Sequence, residues 1–256
     1  MSTGHRTHSL YRPANTPLHR LAPQCKIVAM LGFVLVVVAT PPQRVWAFGA
    51  YAALLAAVAA VAAVPALLIV RRMLIDVPFV AFALLLPVVT PGPRIEVLGV
   101  ALSGPGLLGA WNILAKGTLG VVASILLAAT TEPRALLLGV ERLRLPPLLV
   151  QIMSFMLRYA DVVTSELHRM RIARESRGFR ARDPRQWGVL AQSAGTLFIR
   201  SYERGERVHL AMLSRGYSGR MPVAGDAGAR AHEWLAAAAL PSLALAVALA
   251  ARVSSA

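Results

Sequence analysis

The sequence is short of the residues that a soluble enzyme needs. Only 15% of its 256 residues are charged, and only 12 are acidic. One cysteine, Cys25, stands alone. That excludes an intramolecular disulfide and a cysteine-based zinc site. Its polar and basic neighbours predict a solvent-facing or interfacial thiol. There is no G-x-x-x-x-G-K-[ST] loop, no H-E-x-x-H and no G-x-S-x-G. The residue patterns for P-loop nucleotide binding, zinc proteolysis and a nucleophile elbow are therefore missing. His168, His209 and His232 are scattered, with no carboxylate at a useful spacing. His5 and His8 lie in a polar, basic N-terminal stretch with no helix to align them, and read as solvated rather than as metal ligands. Nothing here supports an enzyme.

What is abundant is apolar surface. Hydrophobic residues make up 56% of the chain and mean hydropathy is +0.58, the balance of an integral membrane protein. The net charge of +15 would point to nucleic acid in a soluble protein. Here its placement follows the positive-inside rule instead.

Residues 1–26 are polar and basic. Ile27–Thr40 is the first apolar run; at 14 residues it needs Leu21–Lys26 as an interfacial start to approach the ~20 residues of a span. It reads as a retained span, since a signal peptide would not have so long a leader. Trp46–Val70 carries no charge over 25 residues and reads as one span kinked at Pro65, with Trp46 and Tyr51 in an interface belt. Arg71-Arg72 marks a cytoplasmic turn, and Met73–Thr90 is the third span. Thr90–Gly106 is an outside loop with the alternation of a short hairpin. Leu107–Thr131 is the fourth span. It carries Asn112 and Lys116, and an ionisable group at membrane depth is a functional hypothesis by default. Asp76, in the third span, is the obvious partner for Lys116. However, Lys116 counts ~13 Å in from the outer end and Asp76 ~5 Å from the inner end, leaving them ~10 Å apart along the normal. Snorkelling or a bond to another subunit is then the expectation.

Between Arg134 and His232 lie 17 arginines and 8 acidic residues. A short amphipathic piece, Arg134–Arg144, suits the membrane surface. Pro146-Pro147 opens a helix over Leu148–Arg177, apolar all round at first and then amphipathic, with Val163, Leu167 and Met170 in one stripe. Asp183-Pro184 caps a second long helix reaching Arg215, with Leu190, Ala194, Leu197, Phe198 and Tyr202 on its apolar face. Glu203 and Arg207 stand i,i+4 apart. Residues 218–231 form a Gly-rich linker, and Trp234–Ala251 is the last span. With the N-terminus, Arg71-Arg72 and residues 132–233 inside, the cytoplasm holds 23 of 27 basic residues. The expected fold is an all-α integral membrane protein of about five transmembrane helices, N-terminus cytoplasmic and C-terminus outside. Residues 1–131 form the tail and four spans, 132–233 a cytoplasmic module of two long helices ending in Ser-Arg-Gly tips, and 234–256 the final span.

Those tips are the one repeated phrase. Ser176-Arg177-Gly178-Phe179 returns as Ser214-Arg215-Gly216-Tyr217, 38 positions later. Helix capping accounts for an Arg-Gly pair. It does not require the flanking serine and aromatic to match. The alternative is a pair of docking tips, each presenting a cation and a ring. Acidic residues interleave with the arginines along both helices, which argues against a nucleic-acid patch.

The paired Arg-Gly tips on two long cytoplasmic helices resemble the signature of the T components of energy-coupling-factor (ECF) transporters. Leu10-Tyr11-Arg12-Pro13, Pro17–Leu21 with Lys26, Trp111–Lys116, Ala128–Thr131 and Arg171–Gly178 are similar to the cobalt-type (CbiQ) branch. Where that family often has Ala before Arg-Gly, both copies here have Ser. The resemblance implies a non-catalytic scaffold in the cell membrane. Two cytoplasmic ABC-type ATPases, which bind ATP and Mg, would take the tips, and a separate S-type membrane subunit would hold the substrate. It implies no cofactor on this chain, no nucleic acid, and cobalt ion as cargo. Uptake of another metal or a vitamin through the same type of complex is one alternative. A self-sufficient carrier using Asn112 and Lys116 is another.

Overall fold

A computed structural model describes residues 11–97, 100–179, 187–219 and 228–253. His5, His8 and the Asp183-Pro184 helix start lie outside these ranges. Almost everything described is helix: α1 (Pro17–Arg20), α2 (Pro23–Ala39), α3 (Val45–Val61), α4 (Ala66–Arg72), a 3-10 turn (Met73–Asp76) and α5 (Val77–Val89). A hairpin, β1 (Arg94–Val97) and β2 (Val100–Ser103), follows. Then come α6 (Gly104–Thr130), α7 (Pro133–Arg142), α8 (Pro147–Ser176), α9 (Trp187–Leu213) and α10 (Ala231–Val253). Proline occupies the first turn of α2, α5, α6, α7 and α8, where its missing N–H has no intrahelical partner to lose. The hairpin is antiparallel, with Arg94 opposite Ser103.

The all-α membrane class holds. By length and composition α6, α8 and α10 can each cross a bilayer, and α4 with α5 makes a fourth candidate bent by 63°. Helices α2 and α3 have 17 residues each, ~25 Å at 1.5 Å per residue, the short end of the spanning range.

Several expectations are overturned. Trp46–Val70 is not one span. α3 stops at Val61, Ala63 takes φ +53° and Pro65 precedes α4. Proline disfavours helix at the residue before it, and the chain answers with a helix end in place of a kink. Arg71 and Arg72 then close α4, not the preceding span. Nor is Met73–Thr90 continuous, since Pro78 restarts the helix after a 3-10 turn. Helix α2 begins at Pro23, within the start expected over Leu21–Lys26, but Cys25 in its first turn is fully buried beside Ala29 and Ala237, not at solvent or an interface. Tyr51 is in the core, not at an interface.

The chain forms two compact units. Helices α8 and α9 make one; α1–α7, the hairpin and α10 make the other. The second has a closed core: Phe33 and Val37 of α2, Tyr51 and Leu55 of α3, and Leu126 of α6 are enclosed. Phe33 meets Tyr51 edge-on, centroids 5.9 Å apart. The Thr40 hydroxyl donates to Val36 O (2.9 Å) and so accepts from the Tyr51 hydroxyl (2.8 Å). Glycines set the closest approaches. A Cβ on Gly106 would stand 2.7 Å from Leu86 O, and one on Gly139 of α7 would stand 3.0 Å from the Gln24 amide of α2.

Candidate functional site: two arginine tips and a polar membrane layer

Helices α8 and α9 run antiparallel. Arg174 Nη1, near the end of α8, donates to Ser193 Oγ near the start of α9 (2.8 Å). Glu166 accepts from Arg200 across the pair (2.6 Å) and from Arg169 on its own helix (2.8 Å). At the far end Gln151 Nε2 donates to the Tyr217 hydroxyl. The Arg200 hydrogen bond, joined by that from Arg169, holds the Glu166 carboxyl below its usual range.

The two tips are built alike. Beyond α8, Phe179 N–H donates to Arg174 O (3.1 Å) and Gly178 N–H to Glu175 O (3.0 Å). Beyond α9, Tyr217 N–H donates to Met212 O and Gly216 N–H to Leu213 O, both 3.0 Å. Each is a Schellman cap, with Gly178 at φ 76° and Gly216 at φ 81°. A Cβ at either glycine would meet nothing within 4 Å, so the left-handed backbone, not space, requires glycine. Ser176 Oγ donates to Ala173 O and Ser214 Oγ to Ala211 O, both at 3.0 Å. The matching serines thus make the same bond, each to its own helix.

Capping accounts for the glycines and the serines. It leaves the guanidinium groups unused. Arg177 and Arg215 are exposed, and neither has an ion pair or side-chain hydrogen bond among the described residues. Because the helices are antiparallel, the two arginines stand at opposite ends of the pair. Gln151 to Arg177 is roughly 40 Å at 1.5 Å per residue. The rings differ. Tyr217 packs edge-on to His209, centroids 6.4 Å apart, and its hydroxyl is held by Gln151. Phe179 is half-buried and has no hydroxyl to hold. Between the helices a cleft of about 190 Å³ is lined by Phe155, Tyr159, Val163, Leu197 and Gly205.

The polar membrane residues are arranged otherwise than depth counting predicts. Asp76 is buried, 3% exposed, and a Cβ on Gly117 would stand 3.7 Å from its Oδ1. The carboxylate therefore lies at the level of Lys116, not ~10 Å away. α6 starts at Gly104, three residues early, and Gly106 packs on Leu86 and Pro87. From there, Gly117 and Asp76 are each ~16 Å further along their antiparallel helices. No ion pair forms between Asp76 and Lys116 among the described residues. Lys116 Nζ instead donates to Val38 O of α2 (2.7 Å). Asn112 Oδ1, one turn before Lys116, and Asp76 Oδ1 are buried without a hydrogen-bond partner. Among the described residues no three His, Cys, Asp or Glu side chains gather.

Sequence reasoning placed Lys26 at the interfacial start of the first span and gave it no contact; it is 5% exposed and donates to His19 O (3.2 Å), Thr130 O (3.0 Å) and Thr131 Oγ1 (3.4 Å). The available signal was its position directly before the apolar run from Ile27.

Comparison with known proteins gives a family match. The profile of the family described as cobalt transport protein, CbiQ, matches residues 14–223. An uncharacterized protein of Methanocaldococcus jannaschii is 36% identical over 104 residues, 40% of this chain and 39% of that protein. A second uncharacterized protein of that organism is 26% identical over 166 residues, 61% of this chain and 57% of that protein. The chain thus spans about two-fifths and under three-fifths of these two relatives. The energy-coupling factor transporter transmembrane protein EcfT of Listeria innocua is 27% identical over 224 residues, 82% of this chain and 83% of that protein.

Proposed function

The chain belongs to the CbiQ family of cobalt transport proteins, and from that premise we propose that it is the membrane-embedded energy-coupling subunit of an ECF importer. One observation carries this reading: the duplicated cap presents two exposed arginines, at opposite ends of one helical pair, with no carboxylate holding either among the described residues. A guanidinium fork fits a carboxylate or a helix C-terminus in a partner's groove. Two tips roughly 40 Å apart suit two such grooves, one on each of two cytoplasmic ATPases.

In this reading the ATPases bind ATP and Mg, and this chain holds no cofactor and performs no catalysis. Closure of the ATPases displaces the tips. Helices α8 and α9 carry that displacement to a separate membrane subunit that holds the cargo, and the family suggests cobalt ion. Helices α2, α3, α4–α5, α6 and α10 make five crossings in this reading; α8 is long enough to span, but its second half carries Arg158, Glu166, Arg169 and Arg171 and pairs with α9, which keeps it out of the count. The distribution of arginine and lysine places the N-terminus in the cytoplasm and the C-terminus outside.

The test is capture of the ATPases by the tagged full chain. Each single change, Arg177→Glu or Arg215→Glu, is expected to cost about 2–5 kcal/mol of docking if the guanidinium is buried and paired in the complex. The double change should abolish capture and cobalt(II) uptake. Unchanged capture and uptake in the double variant refutes the reading. The unpartnered Asn112 Oδ1 favours a second reading, a self-sufficient carrier; it requires the purified chain alone to move cobalt(II) into liposomes, and Lys116→Leu to stop it.

A further inference from the structure

The sequence contains two lysines, Lys26 and Lys116, against 25 arginines. Each lysine donates to the carboxyl end of the helix that carries the other. Lys26, in the first turn of α2, reaches Thr130 O, the last residue of α6. Lys116, midway along α6, reaches Val38 O, one residue before the end of α2. Both oxygens belong to the terminal carbonyls that lack an intrahelical partner, and both lie at the negative end of a helix dipole. The two contacts are ~20 Å apart along an antiparallel pair.

The choice of lysine follows from the acceptors. At Lys26 three oxygens converge, Thr130 O, Thr131 Oγ1 and His19 O, matching the three donors of a compact ammonium. A planar guanidinium cannot converge on them. Lys116 has one acceptor and is only half-buried, so a guanidinium can serve there.

The Lys26 contact also lies beside α7. Thr131 is followed by α7, which lies on the start of α2. Gly139 covers the Gln24 amide, and Arg142 Nη1 donates to Gln24 Oε1 (3.3 Å). Five residues after Arg142 the chain enters α8. We propose that Lys26 and Lys116 are reciprocal clasps that make α2 and α6 one rigid strut, and that this strut lets displacement of α8 drive the membrane unit. The coupling role rests on the function proposed above; the clasp itself does not.

The test uses the full chain with Lys26→Met, Lys26→Arg, Lys116→Met and Lys116→Arg. Hydrogen exchange on the purified chain reads the clasp. Exchange in the last turns of α2 and α6 should rise several-fold in both Met variants. It should stay raised in Lys26→Arg and return to the wild-type rate in Lys116→Arg. Unchanged exchange in both Met variants overturns the clasp, whatever partners the chain has. The second readout is cobalt(II) uptake per ATP hydrolysed in the complex reconstituted with its captured ATPases and membrane subunit. A clasp variant should assemble and hydrolyse ATP while uptake per ATP falls about tenfold, with the same Arg pattern. Raised exchange with wild-type uptake per ATP overturns the coupling role alone. Failure of the wild-type chain to capture any ATPase refutes the proposed function and the coupling role, and leaves the exchange result to decide the clasp.

Discussion

The two units of this chain differ in how much apolar surface they enclose. In the bundle, Phe33, Tyr51, Leu55 and Leu126 are enclosed by side chains from neighbouring helices. In α8 and α9, only Val150 is buried among the described residues, while Met156 is 66% and Phe198 71% exposed. Both units are helical, so helix propensity does not separate them. What differs is the number of facing surfaces. An apolar stripe on α2 meets α3, α6 and α10, whereas within their own unit α8 and α9 have only each other to pack against. Exposed apolar patches this large mark sites for a protein or a membrane. Both units leave apolar side chains open, Leu35, Leu84 and Leu235 of the bundle among them; the bundle alone also encloses a core.

This contrast can be broken by substitution. The largest effect is expected for Phe33→Ala. In a water-soluble core that change costs about 3–5 kcal/mol. Within lipid the transfer part of that loss shrinks while the cavity part remains, so a smaller but clear fall in the thermal midpoint in detergent is expected. Phe198→Ser in α9 should leave the midpoint within about 0.5 kcal/mol and instead weaken assembly with partners. A fall for Phe198→Ser as large as that for Phe33→Ala would erase the distinction.

Glycines sharpen the same comparison at smaller scale. Gly106→Ala puts a methyl 2.7 Å from Leu86 O and 2.8 Å from the Pro87 Cα. Backbone cannot move aside as a side chain can, so overpacking of about 1–3 kcal/mol is expected. Gly205 of α9 has nothing within 4 Å. There an added methyl should stabilise by about 0.5–1 kcal/mol through helix propensity alone. Thermal unfolding of the two variants side by side decides it; shifts of the same sign would contradict the packing difference.

How much was legible in the sequence follows from which forces act locally. The tips could be read because a Schellman cap is set within six residues, and Gly178 and Gly216 announce it. The apolar runs could be read because lipid requires them. Their boundaries could not. Pro65 was expected to bend a helix and ends one, since whether neighbours rescue a broken ladder depends on tertiary packing. Cys25 and Lys26 were assigned to solvent or the membrane interface because their sequence neighbours are polar. They are buried because Ala237 of α10 and Thr130 of α6 fold over them, more than 100 positions away. The depth of Asp76 failed for a similar reason: the close fit of Gly106 on Pro87 sets the offset of α5 against α6, and no property of either segment alone fixes it. In α8 and α9 the helices were legible but their faces were not: Val163 and Leu197 line the cleft between them, whereas Leu167, Phe198 and Tyr202, read on the same stripes, are exposed.

The smallest effect tests how the open unit is held together. Glu166 joins α8 to α9 through Arg200, and both side chains are near water, where an ion pair contributes little. The Arg200 hydrogen bond lowers the Glu166 value below the ordinary 4.5. A group with a lowered folded value contributes fully above its unfolded value and loses that contribution as pH falls through the folded one. Glu166→Gln should therefore loosen the pair equally at pH 7 and pH 5, and the difference from wild type should vanish only below the ordinary carboxylate range. Spin labels at His168→Cys and Thr196→Cys, in a Cys25→Ala background, report the separation of α8 and α9. A difference that fades between pH 7 and pH 5 would mean that another titrating group closes the pair. No difference at pH 7 would mean that the ion pair does not hold it, leaving Arg174 on Ser193 and Gln151 on Tyr217, one at each end, as the contacts that do.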